Sequence, residues 1–220
     1  MLKVDNVEIS TPDRRLFGPL SFSIAPGEIV GLQAPSGSGK SALLRWMLGA
    51  LPVGLSAQGE LYFDGKRLDQ VATEARGIGL LLQQAALFPH LSVAGNLQFA
   101  LAPSPPCRDG SGKIPSRAQR IAQLLQSAGL SGFESRDPAT LSGGQQARIA
   151  LLRALAAQPR ALLLDEPFSS LDAELRTEFR RWVFDQIESG DMPALVVSHD
   201  RDDLRDCSRV IHLNGESINV

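Results

Sequence analysis

Cysteine is scarce in this chain, with two in 220 residues, Cys107 and Cys207. Their separation fits no metal-ligand spacing and two are too few to staple a scaffold, so both are expected as reduced thiols of a cytosolic protein without a secretory signal. Long apolar runs are absent too. Charge or glycine interrupts each one well short of the ~18 residues that a membrane helix needs, so any service to a membrane is expected from outside the bilayer. The net charge is only −2, from 22 Lys+Arg against 24 Asp+Glu, which leaves no general basic field for nucleic acid. There is no internal repeat, and the length suits a single domain over 1–220 with a substantial core.

What the chain does have is a series of buried strand patterns, each ending in residues with a chemistry of their own. Ile29-Val30-Gly31-Leu32 is one, followed by Ala34-Pro35-Ser36-Gly37-Ser38-Gly39-Lys40-Ser41 and a helical pattern over 42–48. In that strand, loop and helix context Gly37 and Gly39 let successive N–H groups face phosphate oxygens, Lys40 brings a point charge to β- and γ-phosphates, and the Ser41 hydroxyl can ligate Mg²⁺. The strict glycine pattern fails at its first position, which is Ala34. A second strand, 161–164, reads as buried on both faces and delivers Asp165 and Glu166 to its C-terminal end, where open α/β sheets bind ligands. One carboxylate can hold a metal while its neighbour handles a water.

Residues 76–83 form a further buried strand pattern ending at Gln83, whose neutral amide can ligate Mg²⁺ or orient water; Gln84 takes that place if the register slips by one. Residues 194–197 form another, ending at Ser198-His199-Asp200. Ser142 followed by Gly143, Gly144 and Gln145 stands before an apolar run, 149–155, at helical spacing, and a helix N-terminus there is an anion site. Arg148 and Arg153 on that helix are expected as structural ion partners. Alternation over 2–9 and 20–24 predicts half-buried strands of an antiparallel edge sheet, and 59–66 a strand closed by an Asp64-Gly65 turn. Residues 102–112 are rich in Pro, Gly and Ser and read as an exposed loop. Ser116 then caps a helix whose apolar face is Ile121, Leu124, Leu125 and Ala128.

Leu141-Ser142-Gly143-Gly144-Gln145 and Leu162-Leu163-Leu164-Asp165-Glu166-Pro167 resemble the signature motif and Walker B strand of ABC transporter ATP-binding subunits, over nearly the whole chain. The resemblance implies an α/β fold: a P-loop NTPase (RecA-like) core, an antiparallel β subdomain, and an α-helical subdomain inserted over about 84–150. It implies ATP held by Pro35, Ser36, Gly37, Ser38, Gly39, Lys40, Ser41 and Ala42, although the family usually has Thr where this chain has Ala42, so one α-phosphate contact is expected to be missing. Mg²⁺ would be held by Ser41, by Gln83 and, through water, by Asp165. Glu166 would be the general base, and His199 would steady the γ-phosphate. Ser142, Gly143, Gly144 and Gln145 would face nucleotide bound by a second copy of the chain, with Asp172 of the D-loop at the same junction. The working form would then be a dimer around two shared sites. The family's adenine-stacking aromatic falls at Thr11, which has no ring; Phe17, Arg14 and Arg15 are the nearest substitutes.

The function so implied is ATP hydrolysis by the peripheral ATPase of a bacterial transporter on the cytoplasmic face of the inner membrane. It would contact transmembrane permease subunits near 83–90. Ala86-Leu87-Phe88-Pro89-His90 looks like importers that work with a periplasmic binding protein, the indirect partner. An exporter or lipoprotein-release ATPase is the alternative, and a soluble ABC ATPase a third. No nucleic-acid partner and no appended regulatory domain are expected, and the transported substrate is not encoded in this subunit.

Overall fold

The computed structural model describes residues 1–35, 37–103, 115–169, 171–214 and 217–219. Ser36, Cys107 and most of the loop expected at 102–112 fall outside them. In chain order the first half forms β1 (Leu2–Ser10), β2 (Arg15–Ile24), β3 (Ile29–Gln33), α1 (Lys40–Leu48), β4 (Ser56–Phe63), β5 (Lys66–Arg67), α2 (Thr73–Arg76), β6 (Ile78–Leu81) and α3 (Val93–Ala100). The second half forms α4 (Arg117–Ser127), α5 (Gly143–Ala156), β7 (Ala161–Asp165), α6 (Ala173–Ser189), β8 (Ala194–Ser198), α7 (Arg201–Leu204), β9 (Arg209–Asn214) and β10 (Ser217–Asn219). Two sheets result. One is antiparallel in the order β2-β1-β4-β5; the other runs β10-β9-β3-β8-β7-β6. In the second sheet β9, β3, β8, β7 and β6 pair in parallel, and only β10 is antiparallel to its neighbour.

Strand β7 shows why this sequence must lie inside such a sheet. Its successive leucines point to opposite faces, and both faces are covered. Leu163 packs with Leu43 and Leu44 of α1 and with the antiparallel sheet, while Leu162 and Leu164 pack with Phe179, Val183 and Ile187 of α6. Each such side chain is fully buried and contributes about 1.5–3 kcal/mol by leaving water. A third apolar cluster joins Val93 and Leu97 of α3, Ile121 and Leu125 of α4, and Ile149 and Leu152 of α5. Helix α5 therefore belongs to two cores: Leu151 packs against β7 while its neighbours hold α3 and α4.

The strand expected over 76–83 is shorter than its pattern, because Gly77 turns the chain at φ 66 and β6 begins only at Ile78. Arg76 ends α2 instead. Its guanidinium is 5% exposed and donates to the carbonyls of Trp46 and Met47, both at 2.9 Å, of Asp69 at 2.7 Å and of Val71 at 2.8 Å. A buried cation is thus matched to the negative end of α1 without a bonded carboxylate, and burial pushes its pKa down. At the other end of the strand Gln83 lies two residues past Leu81, in a bend outside the sheet.

Candidate active site

Strands β3, β7 and β8 are adjacent and parallel, so their C-terminal ends bring the phosphate-loop pattern, Asp165-Glu166 and His199 to one edge. The loop needs glycine at two places. Gly37 and Gly39 take φ 77 and φ 91, conformations that cost other residues about 1–2 kcal/mol, and a Cβ on Gly39 would also lie 2.9 Å from the Phe17 ring. Ala34 is not among the described residues with positive φ, so the loop's first position does not call for glycine. Helix α1 then starts at Lys40 with no side-chain cap, which leaves its first-turn N–H groups available to an anion.

The Lys40 side chain turns back into the loop, its Nζ donating to the carbonyls of Ala34 at 2.7 Å and Pro35 at 2.9 Å. The Ser38 hydroxyl also donates to Pro35, at 2.7 Å. Lys40 Nζ lies 4.0 Å from Glu166 Oε1, which in turn is 3.1 Å from His199 Nδ1. Glu166 takes φ 46, a left-handed turn at the end of β7. Its N–H is fixed by the Val197 carbonyl at 2.9 Å. Burial raises the Asp165 carboxyl above its ordinary pKa, the adjacent Glu166 charge adds to this, and the hydroxyl of Ser41 together with the charge of Lys40 opposes it. Ala42 is nearly buried in α1.

The other expected site residues lie apart from this cluster. Ser142 caps α5: its Oγ accepts from Gln145 N at 3.3 Å, and Gln145 Oε1 accepts from Ser142 N at 3.1 Å, a reciprocal capping box. The Gln145 side chain is therefore occupied within its own helix. A Cβ on Gly143 would meet open space, whereas one on Gly144 would lie 2.2 Å from Leu175 Cδ2. Asp172 caps α6 by accepting from Leu175 N at 2.9 Å. Gln83 and Gly143 both line a cavity of about 330 Å³ with Gln146 and Pro167; Gln83 makes no hydrogen bond to the Lys40 cluster among the described residues.

Two expectations need correction. Phe17 is not free to stack on a base, since it is 5% exposed and packs under Gly39. Thr11 closes the β1–β2 turn by bonding to Arg14, and Arg15 faces Glu8 at 3.5 Å. Arg153 has no carboxylate partner among the described residues; its guanidinium lies 5.2 Å from the Phe88 ring centroid and 3.5 Å from Asn96 Oδ1, and burial lowers its pKa. Arg148 is an ion partner, bonding Glu178 at 2.7 Å. Asn96 was not foreseen. It is wholly buried and ties the 88–92 turn, accepting from Phe88 N at 2.8 Å and donating to the carbonyls of Phe88 and Ser92 at 3.1 Å; a polar residue on the apolar face of α3 was the available signal.

A phosphate loop at an uncapped helix, a carboxylate pair on the next strand but one, and a capped Ser-Gly-Gly-Gln helix define a nucleotide-hydrolysing cassette. The family model described as ABC transporter matches residues 17–169, and the chain belongs to that family, as an ATP-binding subunit with ATPase activity. It is 46% identical over 213 residues to YnjD of Escherichia coli (strain K12), an uncharacterized ABC transporter ATP-binding protein, covering 97% of this chain and 95% of that one. It is 39% identical over 216 residues to the sulfate/thiosulfate import ATP-binding protein CysA of Halalkalibacterium halodurans, covering 98% of this chain but 59% of CysA. For CysA of Brucella melitensis the figures are 41% over 185 residues, with 84% and 50% covered. The chain thus spans little more than half the length of these import proteins. Among solved structures it resembles the ATP-binding cassette MJ0796, a dimer in a post-hydrolysis state bound to ADP and Pi. The TM-score is 0.78 at 29% identity, covering 100% of this chain and 98% of that one.

Proposed function

We propose that this chain is the ATPase of a binding-protein-dependent importer, working as a dimer beneath two permease subunits on the cytoplasmic face of the inner membrane. The observation that carries the catalytic part is the contact of Glu166 with both His199 and Lys40 at the mouth of the phosphate loop. Phosphoryl transfer to water asks chiefly for positioning and charge. Lys40 exchanges its two loop carbonyls for β- and γ-phosphate oxygens, the uncapped amides of α1 take the rest, Glu166 accepts the proton of the attacking water, and His199 contacts the γ-phosphate. Gln83 serves as a ligand and water-orienting group on the far side. A divalent cation fits beside Ser41 and Asp165, because burial leaves that carboxylate short of counter-charge. No group of three or more His, Cys, Asp or Glu side chains among the described residues forms a separate cage, as suits Mg²⁺ bound largely through substrate phosphates. Held by Ser41 and Asp165, Mg²⁺ would supply neutralisation of phosphate charge there. Ser142, Gly143, Gly144 and Asp172 are assigned to nucleotide on the second subunit, since among the described residues they make no hydrogen bond to the Lys40 cluster.

The permease assignment is supported by an apolar cavity of about 310 Å³ beside the 83–90 segment, lined by Leu82, Phe88, Phe99 and Arg153 among others. Phe99 is 72% exposed and Leu82 41% exposed there, so the cavity is bordered by contiguous exposed apolar surface, the kind that marks an interaction site. No helix among the described residues is long and apolar enough to cross a membrane. The import direction is supported by the 86–90 segment and by the CysA relatives. The test is expression of the tagged chain together with its permease pair. Phe99→Glu should leave the membrane fraction, whereas Glu166→Gln should stay there with turnover down by about 10²- to 10⁴-fold. Normal membrane retention of Phe99→Glu, or near-native turnover of Glu166→Gln, would refute the corresponding half.

A further inference from the structure

The His199 ring is 56% exposed and its ion-pair partner among the described residues is Glu166, while Gln33 Nε2 donates to the His199 carbonyl at 3.4 Å. Its backbone is what is fixed. Ser198 donates its hydroxyl to Asp203 Oδ2 at 2.8 Å and accepts from Asp200 N at 3.1 Å. On the other side Asp200 caps α7 by accepting from Asp202 N at 3.0 Å. Asp200 and Asp203, both just after the histidine in the chain, converge on one cation from another element. Arg176 Nη1, in the first turn of α6, donates to Asp200 Oδ2 at 2.8 Å and lies 4.0 Å from Asp203 Oδ1.

A surface ion pair of this kind would ordinarily contribute little, and Arg180, one turn further along α6, already holds α7 to that helix through Asp206 and the Asp202 carbonyl. The Arg176 contact differs because its partner acid is buried. Asp203 is 1% exposed, its Oδ1 has no hydrogen-bond partner among the described residues, and neither has Arg176 Nε. Burial lifts the Asp203 pKa, with Ser198 and Arg176 opposing. One guanidinium thus serves two acids, Asp200 next to the histidine and Asp203, which is bonded to Ser198 on the histidine's other side, in a polar network where each loss is felt by the rest.

We propose that Arg176 is a positioning residue for hydrolysis: through Asp200 and Asp203 it fixes the backbone from which His199 reaches the γ-phosphate. The proposal rests on the role given to His199 above. Arg176 N also donates to the Asp172 carbonyl at 2.8 Å in the first turn of α6, so the same residue links the D-loop end of that helix to Asp200.

The experiment measures steady-state kcat and KM, single-turnover rates, nucleotide Kd and Tm. Arg176→Gln should lower kcat by about 10- to 100-fold, the scale of a sub-ångström to ångström misplacement, with KM and Kd within about twofold. Arg176→Lys should recover part of the loss, and Asp200→Asn should reproduce it without adding to it. In a His199→Ala background, Arg176→Gln should lower the single-turnover rate no further. The charge-balanced variant Arg176→Met with Asp203→Asn should keep Tm and still lose kcat, which separates positioning from folding. Native kcat in Arg176→Gln or in the charge-balanced variant would overturn the proposal, as would an additional loss in the His199→Ala background. If His199→Ala itself keeps native turnover, the role of the histidine falls first and Arg176 with it.

Discussion

Asp165 and Glu166 are chain neighbours that their surroundings separate. The left-handed backbone at Glu166 turns one carboxylate toward His199 and Lys40, and the other stays beside Ser41, where burial raises its pKa. A raised carboxyl pKa means that the native state binds a proton more readily than the unfolded chain does. Its contribution to stability therefore falls as pH rises from the ordinary value, 3.8, through the raised one, and returns on acidification. Asp165→Asn should accordingly raise the Tm of the nucleotide-free protein at pH 7, and the difference should vanish as the pH is brought below 3.8. With ATP and Mg²⁺ the order should reverse, since the parent gains stability by binding and the variant gains less. Calorimetry across pH, with and without nucleotide, reads both signs. An Asn variant less stable at pH 7 without nucleotide would show that Ser41 and Lys40 outweigh burial.

Between elements, the two signature glycines are distinct. Gly144→Ala drives a methyl into Leu175 at 2.2 Å and should destabilise by about 1–3 kcal/mol, the usual cost of overpacking, with most of it restored by adding Leu175→Ala. Gly143→Ala points into open space and should be neutral or slightly stabilising, as alanine is the better helix residue. Urea denaturation of the three variants decides this, and equal losses at 143 and 144 would contradict it. Here lies the limit of what the sequence discloses. Strands β3, β7 and β8 were legible because unbroken apolar runs ended in polar residues, and α4 because Ser116 stood as a cap before one apolar face, Ile121, Leu124, Leu125 and Ala128; the structure adds Gln119 to that cap. The packing of Leu175 on Gly144, of Phe17 under Gly39, and of Arg176 on Asp200 was not legible, because each joins elements whose separation in the chain carries no period. Arg76 was misplaced for a related reason: its four carbonyl partners lie on two segments, the end of α1 and residues 69–71, and a lone arginine before an apolar run looks like a strand edge.

At the scale of the whole molecule, no hydrogen bond joins the signature helix to the phosphate loop among the described residues, and the assigned function requires a second copy. Mixing a Lys40→Ala subunit with a Ser142→Asp subunit puts both lesions in one shared site of each mixed dimer and leaves the other intact. With random pairing in a two-fold dimer, turnover should recover to about a quarter of native. No recovery, with mixed dimers demonstrated, would reject shared sites. The capping box at Ser142 bears on how fast such dimers close. A hydroxyl has one proton and two lone pairs, and the box uses only a lone pair, accepting from Gln145 N. The proton remains free for a phosphate oxygen arriving on the partner. Closure then breaks no cap and needs no fraying of α5, so nothing in the signature helix slows association below the encounter rate of two docking patches, about 10⁵–10⁷ M⁻¹s⁻¹. Asp at 142 would cap the helix equally well but has no proton to give and meets phosphate with like charge, so it leaves α5 intact and shortens the lifetime of the closed pair.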